Sequence, residues 1–224
     1  MKKHVLVFAI LAAMTTPAWA DEEPARRLAD AANVFSEIMN TPDKGIPHDL
    51  LNHASCIAIV PGMKKAGFVF GAKYGKGYVS CRTHAGWSAP ATIRIEGGSV
   101  GFQIGATEAD VVLLIRNHRG MEKLLSDQFT LGGDATVAAG PVGRDATAQT
   151  DAMMTAEILA WSRSRGLFAG IALQGATLRQ DLDDNEKLYG RRLDNREILT
   201  NGVTPPQPAE RLLAELNRRS PTRE

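Results

Sequence analysis

Over residues 24–40 the apolar side chains Leu28, Ala31, Val34, Phe35, Ile38 and Met39 recur at three- and four-residue spacing, and Pro24 suits a first helical turn. The pattern predicts an amphipathic helix. Its polar side carries Arg26, Arg27, Asp30 and Glu37, a mixed rather than basic face that fits packing on the protein's own sheet better than membrane insertion. Thr41-Pro42-Asp43-Lys44-Gly45 breaks this helix, and residues 47–54 predict a short second one. The period then shortens. Residues 56–60, 66–73, 77–82, 87–96, 99–106 and 109–116 read as strands, with Gly75-Lys76-Gly77 and Gly97-Gly98 as tight-turn signals between antiparallel neighbours. This is a meander and not a βαβ repeat.

Met121, Leu124 and Leu125 mark another short helix, after which 129–131 and 135–139 flank Gly132-Gly133. Residues 153–163 and 167–178 predict a closing strand pair, although 150–160 is equally helical by composition. Alternation in this stretch puts Trp161, Arg163 and Arg165 on one side and makes an apolar stripe of Leu167, Ala169, Ile171 and Leu173. Glycines four apart recur at Gly67 and Gly71, Gly101 and Gly105, and Gly166 and Gly170, which points to strands in a strongly curved sheet that needs helices to close it. Asp183 or Asp184 is positioned to cap a helix ending at Tyr189-Gly190, and Asp194 with Glu197 resembles a capping box for a helix reaching Gly202. Pro205, Pro206 and Pro208 form a stiff connector to a last amphipathic helix bearing Leu212, Leu213 and Leu216. The expected fold class is therefore α+β: a curved, mainly antiparallel β-sheet with N- and C-terminal amphipathic helices packed on it.

Composition adds a compartment. Lys2 and Lys3, an apolar run over residues 5–13 and Ala18-Trp19-Ala20 have the three parts of a cleavable secretory signal, which predicts a signal peptide over 1–20, cleavage after Ala20 and a periplasmic protein. An uncleaved anchor is the alternative. The mature chain then divides into one domain over 21–204 and a connector with terminal helix over 205–224. Removing two lysines from 26 basic residues leaves 24 against 25 acidic ones, a net charge of 24 − 25 = −1, which argues against general nucleic-acid binding. In an exporting compartment the two cysteines, Cys56 and Cys81, are a disulfide candidate because each lies on or beside a strand of one β-rich block, with two buried thiols as the other reading.

Gly97-Gly98-Ser99-Val100-Gly101 matches the letters of a nucleophile elbow, but Val100, Phe102 and Ile104 alternate, so the expected turn leads into a strand and a serine hydrolase is the least favoured function. Asp181, Asp183 and Asn185 start a calcium-loop spacing that Glu186 and Arg192 do not continue, which favours helix capping. His48 and His53 lack zinc spacing, no nucleotide-binding loop is present, and no metal or cofactor is expected. What remains is cationic. Lys64 and Lys65 follow a Pro61-Gly62 turn, Lys73 and Lys76 flank a predicted hairpin turn, Arg144 ends the loop Gly140-Pro141-Val142-Gly143-Arg144, and Arg163 and Arg165 share a side. Lys64, Lys65, Lys73, Arg144, Arg163 and Arg165 are thus the candidate lipid- or anion-binding set, with a solvated rim as the other reading.

Ile46-Pro47, Lys65-Ala66-Gly67-Phe68, Trp87-Ser88-Ala89-Pro90, Gly101-Phe102-Gln103-Ile104-Gly105, Leu131-Gly132-Gly133, the Arg144 loop and Ser164-Arg165-Gly166-Leu167-Phe168-Ala169-Gly170 occur in one order over about 25–217. In these motifs the chain resembles the SYLF lipid-binding domain family, also described as the actin-binding domain of a yeast cortical-patch protein family. The resemblance implies a non-enzymatic module that binds phosphoinositides or other acidic lipids, partly through a basic N-terminal helix. This chain departs from that pattern: Arg26 and Arg27 are the only cations on its first helix, and its leader sends it where phosphoinositides and actin are not expected. The partner it predicts is an anionic lipid or membrane surface, with an envelope protein bound through the same surface as the runner-up.

Overall fold

A computed structural model describes residues 22–41, 45–67, 70–100, 105–141, 151–164, 167–168 and 173–221. The predicted signal peptide lies outside them. The first helix, α1 (Glu22–Asn40), buries Leu28, Ala31, Phe35 and Ile38 completely, as its apolar spacing requires. A short α2 (His48–His53) follows. The sheet then begins with β1 (Cys56–Gly67), β2 (Phe70–Thr83), β3 (Gly86–Trp87), β4 (Ala91–Val100) and β5 (Gly105–Ile115). After α3 (His118–Leu124) come β6 (Gln128–Thr130), β7 (Val137–Ala139), α4 (Asp151–Thr155), β8 (Ile158–Ser164), β9 (Leu167–Phe168) and β10 (Thr177–Gln180). Helices α5 (Leu182–Tyr189), α6 (Asn195–Thr200) and, after a 3-10 turn at Gln207–Ala209, α7 (Glu210–Arg219) complete the chain.

Among the described residues the ten strands form one sheet in the order β6-β10-β4-β2-β1-β5-β8-β7, with β3 on β2 and β9 on β8. All pairings are antiparallel except β7 with β8. Its two edges, β6 and β7, are consecutive in sequence. Laid flat, eight strands would separate them by about 34 Å, whereas the link from Thr130 to Val137 reaches about 25 Å at full stretch. That link is not stretched, because Leu131 bridges Ala135 and the Gly132 amide donates to the Ala135 carbonyl at 2.7 Å. The sheet must therefore curl into a half-barrel, the curved α+β architecture the sequence predicts.

Each face of the curl has its own core. Ile57, Ile59, Tyr78, Val112, Leu114 and Trp161 pack under α1, α2 and α7. Ala58, Val79, Ile93, Ile95, Val111 and Leu113 line the inner face, filled by Phe129, Leu131, Leu178 and, from α6, Ile198 and Leu199. The C-terminus is held firmly: the Ser220 carbonyl accepts from Arg82 Nη1 at 2.7 Å and Trp87 Nε1 at 3.1 Å, while the Arg82 guanidinium lies 4.1 Å over the Trp87 ring. Cys56 and Cys81 face each other across β1 and β2 and are bonded as a disulfide.

Several boundaries differ from the sequence reading. Gly75-Lys76-Gly77 and Gly97-Gly98 are not turns but strand interiors, in β2 and β4. Pro61-Gly62 is likewise a bulge inside β1, with Gly62 left-handed at φ 56° and the register slipping between Val60 and Met63. The bulged backbone presses on its neighbour, so a Cβ at Gly77 would lie 2.1 Å from the Ile59 carbonyl oxygen. Those glycines admit a close crossing that helps the sheet curl. The Gly67–Gly71 spacing brackets a reversal instead of a strand, since these two residues pair across β1 and β2. Residues 99–106 are divided in the same way between β4 and β5. Residues 167–178 are not one strand either: β9 folds back on β8, while Gly175, at φ 74°, turns the chain into β10, which joins β4 and β6 on the other side. Asp181, not Asp183 or Asp184, caps α5, its carboxylate accepting from the Asp184 amide.

Candidate functional site

The antiparallel register brings the ends of six strands together. Gly67 pairs with Gly71 and with Gly105, Phe70 pairs with Val100, and Ser164 pairs with Leu167. One end of the sheet therefore gathers the β1–β2, β4–β5 and β8–β9 connections. Lys64, Lys65, Lys73 and Arg163 all lie within a few residues of it. Arg144 and Arg165 fall outside the described residues. The described residues Gly140 and Pro141 pack on β8, where the Trp161 indole donates to the Pro141 carbonyl at 3.0 Å and the Gly140 amide to the Ala160 carbonyl at 2.8 Å.

Strand alternation sorts the four described cations onto two faces. On the helix-bearing face, Lys64 is in register with Glu108, and Arg163 Nη2 reaches Asp110 Oδ2 at 3.0 Å and Glu37 Oε2, on α1, at 2.6 Å. The other Asp110 oxygen accepts from the Gly62 amide at 3.0 Å, so the bulge is tied to the same ion pair. Burial lowers the Arg163 pKa, but the hydrogen bonds to Asp110 and Glu37 outweigh it and hold the guanidinium above its ordinary value. On the inner face Lys65 stands directly opposite Lys73, which is only 5 % exposed. Burial first, and the Lys65 charge second, push the Lys73 ammonium below its ordinary pKa.

Two openings meet here. A cleft of about 840 Å³ is lined by Lys64, Lys65, Thr107, Glu108, Asp110 and Arg163, among others. Another of about 470 Å³ runs between α1 and the β1 bulge and shares Lys64, Glu108, Asp110 and Arg163 with the first. Both mix positive and negative side chains, as a surface for a charged head group or a polar partner does.

Lys76 does not belong to this end. Its ammonium is 2.9 Å from both Asp181 Oδ2 and Asp184 Oδ2, and Arg27 Nη1 meets Asp184 Oδ2 at 2.8 Å, which ties α1, β2 and α5 together. Burial opposes charge on Asp184, yet the Lys76 and Arg27 contacts hold its carboxyl below the ordinary range. Asn185 reinforces the joint, accepting from the Thr92 amide at 2.8 Å and donating to Leu193 and Asn195. The calcium-loop spacing is thus spent on capping and interior hydrogen bonds. This cluster was not legible from spacing, because Arg27, Lys76 and Asp184 come from three distant segments. Ser99 lies within β4, paired with Gly71, so the strand-to-helix turn of a nucleophile elbow is not formed there.

Residues 96–219 match the model of the Ysc84 family, described as Las17-binding protein actin regulator. Similar proteins include the SH3 domain-containing YSC84-like protein 1 of Rattus norvegicus, 37% identical over 197 residues covering 86% of this chain and 58% of that protein. The human protein of that name is 36% identical over 192 residues, 84% of this chain and 56% of its own length. LAS seventeen-binding protein 3 of Saccharomyces cerevisiae (strain ATCC 204508 / S288c) is 35% identical over 183 residues, 80% of this chain and 39% of its own. The chain thus spans a little over half of the mammalian relatives and two-fifths of the yeast one. With a family match that runs from β4 through α7 and a curled sheet capped by terminal helices, the chain belongs to the Ysc84, or SYLF, family.

Proposed function

We propose that this chain is a non-enzymatic module that holds anionic lipid head groups at a membrane surface through the hairpin end of its sheet. The observation that carries the reading is the gathering of Lys64, Lys65, Lys73 and Arg163 at that one end, where Lys64, Lys65 and Arg163 line a cleft of about 840 Å³. The first helix plays a packing role: Leu28, Phe35 and Ile38 are fully buried, and Tyr78 donates to the Pro24 carbonyl at 2.5 Å. Withdrawing it to lie on a bilayer would uncover the core beneath it. The leader-like residues 1–20 support placement in the periplasm, where bilayer phosphates are the abundant anionic surface.

A protein partner bound through the same end is the second reading, favoured by the family's description as actin regulators and by the acidic side chains, Glu108 and Asp110, set among the cations. Co-sedimentation of the chain lacking residues 1–20 with phosphatidylcholine vesicles, with and without phosphatidylglycerol, separates the two. Pelleting that depends on the anionic lipid supports the membrane reading. Failure to pellet with either vesicle removes it and leaves the protein partner.

A further inference from the structure

β5 runs further than the strand beside it. It pairs with β1 along its whole length, from Ile115 opposite Cys56 to Gly105 opposite Gly67, but with β8 only from Ile115 to Asp110. β8 ends at Ser164, and β9 lies on the far side of β8, since Arg163 pairs with Asp110 and with Phe168 at once. Among the described residues, then, no strand lies against residues 105–109 on that side. Ala106, Thr107 and Glu108 are exposed, and the cleft of about 840 Å³ opens along them, with Arg163 and Ser164 lining it where β8 stops.

The backbone of this edge points into the cleft. Along an antiparallel strand the hydrogen-bonding groups turn alternately to its two neighbours. One residue beyond β5 the Arg116 amide donates at 2.9 Å to the carbonyl of Glu157, one residue before β8, so the even-numbered positions of β5 turn toward β8. The same direction holds at the other end, where the Ser164 hydroxyl donates to the Glu108 carbonyl at 2.8 Å. A side chain there takes the place of a strand. The Glu108 amide and both backbone groups of Ala106 face the same way, at the two-residue spacing that another extended backbone matches. Sheets ordinarily blunt or cover such an edge. This one carries a single acid, Glu108, beside the small Ala106 and Thr107, which leaves room for a chain to approach.

We propose that residues 105–109 of β5 are a strand-addition site, which takes an extended segment of a partner protein into the cleft as a further strand. The proposal rests on the second reading of the hairpin end, as a surface for a protein partner, and supplies its mode of recognition. Backbone groups of Ala106 and Glu108 give the segment its hydrogen bonds, and side chains select it. The position opposite Glu108 lies on the helix-bearing face, where an opposite charge is favoured, so it takes Lys or Arg. Arg163 does not repel that cation, because it is already bound to Asp110 and Glu37, and Lys64 lies beyond β5. The next position falls on the inner face beside Thr107 and takes a β-branched residue. The occupant is therefore a segment of alternating basic and β-branched residues.

The test follows nitrogen-15 amide shifts of the chain lacking residues 1–20 on titration with the synthetic peptide Val-Lys-Thr-Lys-Val. The peptide should shift the Ala106 and Glu108 amides saturably in the millimolar range. Methylating its backbone nitrogens should abolish those shifts. The peptide Val-Glu-Thr-Glu-Val should bind about tenfold more weakly, and Glu108→Lys should reverse that preference. Ala106→Pro removes the amide that faces the cleft and spares the ladder to β1, so it should abolish binding with Tm unchanged. The methylated peptide decides the question even where Ala106→Pro fails to fold. Saturable binding that survives methylation of the peptide would overturn strand addition while leaving a protein partner at this end. Absence of shifts at Ala106 and Glu108 with both unmethylated peptides would overturn the site itself.

Discussion

Asp184 is a carboxylate with 4 % of its side chain exposed, and it stays charged because Lys76 and Arg27 both reach it. Its folded pKa is below the ordinary 3.8, so the stabilisation it gives is complete above that value. As pH falls from 3.8 through the folded pKa, the native state takes up the proton last and the contribution is lost. Asp184→Asn should lower stability near pH 7 by about 3 kcal/mol, because it leaves two cations beside a neutral amide, and should flatten the acid limb of a Tm-against-pH curve. At Ser99 the expectation is the reverse. Ser99→Ala should leave folding and vesicle binding unchanged, and a fluorophosphonate probe should not label Ser99; labelling there would revive the hydrolase reading. Single residues were legible where a local rule decides them. Gly190 ends α5 at φ 70° and Asp194 accepts from the Glu197 amide at 2.7 Å, both as the sequence predicts. The acids that neutralise Arg163 were not legible, because Asp110 and Glu37 reach it only through strand pairing and helix docking.

At the scale of elements, α1 and the β1–β2 pair carry the clearest expectations. Phe35 is fully buried between α1 and the sheet, so Phe35→Ala should cost about 3 to 5 kcal/mol in urea denaturation while leaving anionic-vesicle binding of the folded protein unchanged. The Cys56–Cys81 disulfide spans a sequence separation of 25 and joins facing residues of two adjacent strands, so loop-closure entropy gives it about 3 to 4 kcal/mol. Replacing both cysteines with serine should lower stability by that amount, whereas an unchanged denaturation midpoint would show that the bridge contributes nothing. The amphipathic helices at the two ends were legible almost to their limits, since a 3.6-residue period is a local signal, whereas 153–163, read as strand with helix equally open over 150–160, divides into α4 and β8. Strand ends were not legible. Glycine signals a turn and a close crossing alike, and only the bulge at Gly62 and the approach of Gly77 to Ile59 decide between them.

For the whole molecule, the curl follows from a connection between β6 and β7 too short to join the edges of a flat sheet. It leaves one end of six strands as the place where cations collect. Alternation in sequence put Arg163 on the same side as Trp161, but it could not show that Lys65 faces Lys73, because that pairing is set by where the chain reverses between Gly67 and Gly71. The central claim is that this end meets the membrane while α1 stays packed. Hydrogen–deuterium exchange with and without phosphatidylglycerol vesicles tests it directly. The account predicts slower exchange over residues 62–75 and 96–110 on vesicle binding, with residues 22–40 unchanged; altered exchange confined to residues 22–40 would contradict it and make the first helix the membrane element.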